Sequence, residues 1–316
     1  MTSVVDHPMN AEAPQFRPPG FSIMHTIRVN LAGGLGNQMF MYAAGRGLAE
    51  RTGGRLLLNR AAFRRDRVYK RVFLLDKFPV SAAILPDDWS GRALDAVDSL
   101  ASACPWLVPG LTVIHEPVHC AESDFCVELL RRRDGRSVSL RGYWQDERYF
   151  RDCAGVIRRE FAPPVIDDPT AADYLLRIEQ SPHPVAVCIR FFREVPGETS
   201  DPAMIIAAFR RAVAEHARCV PGCQYFLFTE EPGYFDDPTS LGVHATVVRN
   251  GLRNEDAPTH LHLISACRTF FIGYSSFHWW GAWLGQHPGK TVTYLHFPGR
   301  KGAEYAAAGW HVLGVG

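Results

Sequence analysis

The 316-residue chain predicts an α/β fold made of two Rossmann-like parallel-sheet domains facing each other across a cleft. Three observations lead there. Short buried strands alternate with helical stretches in both halves of the chain, and several strands run directly into glycine- or serine-bearing turns. Between the halves lies "APPVIDDPT", residues 162–170, whose Pro163, Pro164 and Pro169 do not fit inside regular elements. The expected domains are 26–162 and 163–316. Residues 1–25 are expected to form a disordered tail: they carry Asp6, Glu12 and four prolines, and no apolar stretch of signal-peptide or membrane-anchor length.

"TIRVNLAGGLGNQ" reads as a strand running into a glycine-rich loop. "MFMYAAGRGLAERTGG" then has helical spacing, with Met39, Tyr42, Ala43 and Arg46 recurring at three and four, and Gly53-Gly54 ending the helix. "RLLLN" is the next buried strand and completes a strand–loop–helix–strand unit. Residues 60–137 mix short amphipathic pieces with Pro86, Pro105, Pro109 and Pro117, and hold a strand at "LTVIHE". "SVSLRGYWQ" is another strand. "DERYFRDCAGVIRREF" is read as a helix with Phe150, Cys153, Val156 and Ile157 on one face and Asp146-Glu147 at its positive N-terminus. In the second half "PVAVCIR", "QYFLFTE", "HATVVRN", "TFFIG" and "TVTYL" are strands. The helices there cover 201–218, 255–267 and "SSFHWWGAWLGQH".

The composition narrows the function classes. A hydrophobic share of 47% and a charged share of 21% suit a chain that buries full cores. A formal net charge of +1 argues against a dedicated nucleic-acid binder. Basic clusters occur at Arg64, Arg65, Arg67, Lys70 and Arg71 and at Arg131, Arg132 and Arg133; they read first as solvated faces and alternatively as a surface for acidic lipid or polyanionic glycan. Of eight cysteines only Cys219 and Cys223 have a close spacing, and no second pair or histidine cluster completes a zinc site. A reducing cytoplasm is the expected location, with any membrane contact peripheral.

Three strand ends carry residue types suited to anion chemistry. In "GGLGNQ", Gly34 and Gly36 let the backbone approach an anion at a helix start, and Asn37 and Gln38 add amides; the third glycine of a dinucleotide fingerprint is missing. In "CIRFFREVPGE", Arg190 leaves its strand toward the cleft with the bidentate fork that a diphosphate needs, and Glu194 follows. In "YSSFHWW", Ser275 or Ser276 caps a helix opposite that arginine, and Phe277 or His278 would lie against a base or sugar. Trp279, Trp280 and Trp283 are expected to pack the domain junction.

Taken in order, "GGLGNQMFMYAAGRGLA", "LRGYWQDERYF" and "YSSFHWWGAWL" resemble glycosyltransferase family 11, the bacterial α-1,2-fucosyltransferases, over residues 26–296. The resemblance implies a GT-B fold, an inverting reaction and no required metal, in line with the lack of a D-x-D motif. It also implies GDP-fucose held mainly by the C-terminal half, and an oligosaccharide or glycolipid acceptor, often a β-galactoside, met by the N-terminal half. Such a glycolipid would be reached at the inner membrane. The family's H-x-R-R-x-D motif is altered here: Arg190 matches the first arginine, while Cys188, Phe191 and Arg193 replace the histidine, the second arginine and the acid. Glu194, one residue late, is expected to restore the carboxylate.

Fucosyl transfer builds negative charge on the departing GDP, so a fixed positive field there is the largest help a protein can supply. Arg190, the Ser275-Ser276 helix start and Asn37 are the expected sources. Glu194, Glu198 and Asp201 are candidates for a base, with none preferred. The rivals are a degenerate member that binds nucleotide or glycan without turnover, transfer from a different GDP-sugar, and an NAD-dependent oxidoreductase. The last is disfavoured because Asn59 stands near the place of the ribose-binding acid.

Overall fold

A computed structural model of the chain describes residues 25–86, 89–116, 126–192, 201–249, 254–300 and 302–315. The tail expected over residues 1–25 therefore lies outside the described residues except for His25, as do Arg193, Glu194 and Glu198.

The first half contains β1 (Thr26–Asn30), α1 (Leu35–Thr52), β2 (Arg55–Asn59), β3 (Ala83–Ile84), α2 (Trp89–Ala103), β4 (Leu111–His115), α3 (Val127–Arg131), β5 (Ser137–Arg141) and α4 (Ala154–Glu160). Its five strands form one parallel sheet in the order β3-β2-β1-β5-β4, with Val29 of β1 in register with Leu58 and Leu140. Residues 162–168, which carry neither helix nor strand, lead into the second half. That half contains α5 (Pro169–Gln180), β6 (Pro184–Ile189), α6 (Pro202–Cys219), β7 (Gln224–Thr229), β8 (Ala245–Val248), α7 (Ala257–Ser265), β9 (Thr269–Ile272), α8 (Ser276–Leu284), β10 (Thr291–His296) and β11 (His311–Gly314). Its sheet is also parallel, in the order β11-β10-β9-β6-β7-β8. Strand β6 is buried at every position, the reason it reads as an unbroken apolar run. Strand order reverses between β1 and β5 in one sheet and between β6 and β9 in the other. These are the places where open α/β sheets bind ligands.

The two halves share one core where α1 crosses α8. Phe40 of α1 lies 4.6 and 5.0 Å from Trp279 and Trp280, and Phe150 stacks on Trp280 at 5.3 Å. All three tryptophans of α8 are buried, as the sequence led us to expect, and each indole N–H is satisfied. Trp279 donates to the Tyr305 carbonyl (2.8 Å), Trp280 to the Gly36 carbonyl (3.0 Å) and Trp283 to Glu147 Oε1 (3.0 Å). Large rings thus supply apolar area while their N–H groups fix the crossing.

Three expectations are corrected. The helix after β1 starts at Leu35, so Gly36, Asn37 and Gln38 form its first turn instead of a loop. Thirteen of the eighteen residues of α1 are buried, because the sheet, α8 and the 147–153 segment surround it; no single-face period describes such a helix. Residues 146–161 form two short 3₁₀ turns followed by α4, not one helix. There the Glu147 carboxylate bridges the halves, accepting from Trp283 and from the Ala308 backbone N–H (3.0 Å), instead of serving a helix dipole.

Candidate functional site

A cavity of about 520 Å³ opens between the carboxyl ends of the two sheets. One wall comes from the β1–α1 turn, the 69–74 segment and Tyr143 after β5. The facing wall comes from residues that follow β6, β7, β9 and β10. The N-termini of both α1 and α8 meet this cavity, so their free N–H groups and positive dipole ends converge on it.

On the first wall Gly33 has φ +77, a conformation that only glycine adopts freely, and Gly34 caps α1 through extended backbone. Gly36 serves helix contact: a Cβ there would lie 2.4 Å from the Phe277 nitrogen and 2.5 Å from the Ser276 carbonyl carbon. The absent side chain lets the start of α1 touch the start of α8. Asn37 lines the cavity, its Oδ1 accepting from Gln145 Nε2 (2.8 Å). Gln38 is corrected: it is fully buried and turned away from the cavity. Its amide donates to the carbonyls of Gly33 (3.0 Å) and Val72 (2.8 Å), and its Oε1 accepts from Leu74 N–H (3.0 Å). Gln38 therefore clamps the β1–α1 turn to the 72–74 segment and does not line the cavity.

On the second wall Arg190 leaves β6 with its guanidinium 5.4 Å from the Phe192 ring centroid and Nε 3.6 Å from Glu230 Oε1. Phe192 has φ +56, which turns the chain sharply and presents its ring to the cavity. Arg300, after β10, stands 5.6 Å from that same ring and 5.9 Å from Tyr274, so one aromatic ring organises two guanidiniums. Glu230, after β7, fixes the turn: its Oε1 accepts from the backbone N–H groups of Phe191 (2.6 Å) and Phe192 (3.0 Å). Phe191 points inward, 1% exposed, against Tyr234 at 5.1 Å and Phe235 at 6.3 Å. Phe191 thus belongs to the core and not to the cavity wall. Cys188 is also wholly buried, and burial pushes its thiol up.

At the start of α8 the Ser275 hydroxyl accepts from His278 N–H (3.4 Å), the cap expected from the sequence. Ser276 and Phe277 line the cavity, with the Phe277 ring 5.9 Å from His260 and from His278. Burial, then the charge of Arg190 and the nearby His260, hold the His278 imidazole well below its usual range. Asp201 caps α6 by accepting from Ala203 N–H (2.9 Å), which is a structural use of that carboxylate. The sequence reading missed Arg71, Arg300, Glu230 and Tyr143. Arg300 follows a strand as Arg190 does, and the strand-end rule applied to "TVTYLHFPGR" finds it; nothing periodic around Arg71 signals its place.

No protein-family model matches the chain, and no curated protein does either. Among solved structures it resembles a variant of Arabidopsis thaliana FUT1 in complex with GDP: TM-score 0.55 and 13% identity, covering 90% of this chain and 72% of that one. It also resembles NodZ α-1,6-fucosyltransferase soaked with GDP-fucose: TM-score 0.50 and 14% identity, covering 83% and 92%. The fold is therefore GT-B, two parallel-sheet α/β units with their strand ends turned to one cleft. Among the described residues no helix is long and apolar enough to cross a membrane.

Proposed function

We propose that the protein is a glycosyltransferase that moves L-fucose from GDP-fucose to a saccharide hydroxyl, as a member of glycosyltransferase family 11. The observation that carries this reading is the cavity's set of cations: Arg71 from one wall, Arg190 and Arg300 from the other, around two helix N-termini. A diphosphate has the charge and the fork geometry that such a set would bind. The descriptions of the two solved neighbours, with GDP and with GDP-fucose, support a GDP-linked donor. The three sequence stretches that resemble the family support the 2-hydroxyl of a β-galactoside, in an oligosaccharide or glycolipid, as the acceptor.

In this reading the C-terminal half holds the donor. Arg190, the α8 start with Ser275 and Ser276, and the α1 start with Gly34 and Asn37 surround the diphosphate, and Phe277 lies against the base or sugar. As the glycosidic bond breaks, charge grows on the β-phosphate, and the guanidiniums stabilise it without reorganising because Phe192 and Glu230 already hold them. The family resemblance assigns the reaction inversion and independence from metal. Glu194 stays the proposed carboxylate partner of the donor loop. The protein would work in the cytoplasm, reaching a lipid-linked acceptor at the inner membrane face.

Calorimetric titration with GDP, GDP-fucose, GDP-mannose and UDP in EDTA tests the donor. GDP and GDP-fucose should bind, and Arg190→Ala should weaken GDP and slow transfer by roughly a hundredfold, the loss of a charge-assisted contact that strengthens in the transition state. Absence of any GDP binding, or equal binding of UDP, would overturn the reading. A second reading, nucleotide or glycan binding without turnover, is favoured by one observation, the burial of Phe191 where an arginine is expected. Tight GDP-fucose binding with no hydrolysis or transfer would select it.

A further inference from the structure

Helix α2 is amphipathic in the wrong sense for a helix that packs on a sheet. It lies on the face of the first sheet opposite α1: Arg28 and Asn30 of β1 reach Asp98 of α2, whereas a Cβ on Gly45 of α1 would lie 2.4 Å from Val29 Cγ2, between them in the strand. Asp98 is wholly buried and is held by Arg28, Asn30 Nδ2 (3.3 Å), Ser139 Oγ (2.6 Å) and Arg141 Nη2 (3.0 Å). Asp95, one turn earlier, accepts from Arg141 Nη2 (3.0 Å) and stands 3.6 Å from Arg65. The helix is thus attached to the sheet through its charges. Taking the Arg28–Asp98 pair out of water costs on the order of several kcal/mol per ion, and an apolar inner face would pack without that cost.

The apolar residues of α2 face outward instead. Ala93, Ala96, Val97, Leu100 and Ala103 are exposed and recur at three and four, which makes one stripe. Trp106, 75% exposed, and Leu107, 57% exposed, extend it into the turn that follows the helix. From residue 93 to residue 110 the sequence holds two charged residues, Asp95 and Asp98, and both are engaged on the sheet side. The exposed fractions of the stripe correspond to roughly 600 Å² of surface, the top of the range for the largest patch on a monomer and about three quarters of the roughly 800 Å² that each partner gives to a standard interface.

We propose that the outer face of α2 is covered by the same face of a second copy of this chain, the two helices crossing antiparallel about a two-fold axis near Leu100. The order of side-chain sizes along the stripe carries the choice of partner. Its beginning is small, Ala93 and Ala96, and its end is large, Trp106 and Leu107. An antiparallel pair sets the large end of each copy over the small end of the other, bulk against hollow, with Leu100 meeting Leu100. The alanines let the helix axes approach closely. A self-matched face of this kind needs no opposite charge, in keeping with a stripe that carries none. A lipid surface fits less well, because a helix lying in a bilayer interface presents large apolar residues beside Lys and Arg, and α2 offers alanines and two carboxylates over this span. No residue of the stripe lines the cavity between the halves, so the pairing leaves that cavity open.

Sedimentation equilibrium of the full-length protein across the micromolar range tests this. The wild type should approach twice the monomer mass as concentration rises. Leu100→Arg and Leu100→Asp each set like charges against one another at the two-fold axis and should stay monomeric, while an equimolar mixture of the two should recover the dimer. Trp106→Ala, which trims an exposed side chain, should weaken dimerisation at least about tenfold, and Ala93→Trp should block it by filling the hollow that Trp106 enters. Far-UV circular dichroism equal to the wild type's shows that these exposed substitutions leave the fold intact. A wild type that stays monomeric at every concentration, a Leu100→Arg protein that dimerises as the wild type does, or a mixture of the two charge variants that stays monomeric would each overturn the inference. Wild-type monomer that binds phosphatidylglycerol vesicles and loses that binding with Leu100→Asp would overturn it too, and would assign the face to a lipid surface.

Discussion

Replacing Gly36 by alanine is expected to damage both stability and donor binding, and the size of the effect follows from three distances. The new Cβ would lie 2.4 Å from the Phe277 nitrogen, 2.5 Å from the Ser276 carbonyl carbon and 2.7 Å from the Phe277 Cα, whereas ordinary contact begins at 3.4 Å. The start of α8 must therefore retreat by 3.4 − 2.4, or about 1 Å, and because the obstacles are backbone no rotamer change relieves it. Overpacking of this kind costs about 1–3 kcal/mol, and a strained Trp280–Gly36 hydrogen bond adds up to about 1 kcal/mol. The better helix propensity of alanine returns at most about 1 kcal/mol. A net loss of about 1–3 kcal/mol remains. The two helix N-termini that line the cavity between the halves shift together, and a 1 Å misplacement costs on the order of tenfold to a hundredfold in binding or rate. Urea unfolding and GDP calorimetry on the glycine series measure this. Gly34→Ala, whose Cβ meets nothing closer than Arg71 Nη1 at 3.9 Å, should stay within about 0.5 kcal/mol of wild type. Gly33→Ala should lose about 1–2 kcal/mol from its φ of +77. A Gly36→Ala protein with wild-type stability and GDP affinity, or a Gly34→Ala protein worse than it, would refute the close-contact reasoning.

Glu230→Ala should weaken GDP binding by roughly tenfold or more, since it releases the two backbone N–H groups that hold the Phe191–Phe192 turn beneath Arg190; calorimetry showing unchanged affinity would remove Glu230 from the site's framework. His278 gives a pH dependence whose sign is fixed. Its imidazole is held below the usual range, mainly by burial, so its stabilising effect is complete above the unfolded value near 6.5 and is lost as pH falls toward the folded one. Unfolding free energy should therefore decline below about pH 6.5 with a share of about 1.4 kcal/mol per pH unit from this residue. His216 and His262, also lowered by burial, contribute in the same direction. A His278→Gln protein measured in urea between pH 5 and 7.5 should lose that share of the slope, and an unchanged slope would contradict the assignment.

How much of this was legible in the sequence depended on the range of the interaction. The strands of the second sheet could be read because both faces are covered, so "PVAVCIR" and "TFFIG" are apolar at nearly every position. Gly53 could be read as a helix stop, and it does end α1 in a left-handed conformation with its N–H on the Ala49 carbonyl. Ser275 could be read as a cap for the same local reason. The elements β3, α2, α3, α5 and β11 were not found: β3, α3 and β11 are short, α2 follows a stretch whose prolines mask its period, and α5 begins at Pro169, a linker proline in the sequence reading that the structure uses as the first residue of a helix.

Site residues divide along the same line. Arg190 and the Ser275-Ser276 turn sit at strand ends that any parallel sheet turns toward a ligand, so local pattern placed them. Gln38 looked like ligand chemistry because an amide beside glycines suits an anion, yet its partners Val72 and Leu74 are 34 and 36 residues away and consume it. Glu147 looked like a helix-dipole acid, and its partners are Trp283 and Ala308 in the other half. The sequence by itself determined the parallel α/β class, the strand-end positions of Arg190 and Ser275-Ser276 and the packing role of the α8 tryptophans, because burial periods and caps are interactions among near neighbours. Only the tertiary structure decided that Phe191 joins the core while Arg71 and Arg300 join Arg190. Those contacts are closed by crossover connections between distant strands, and no short stretch of chain records where such a connection brings its side chains.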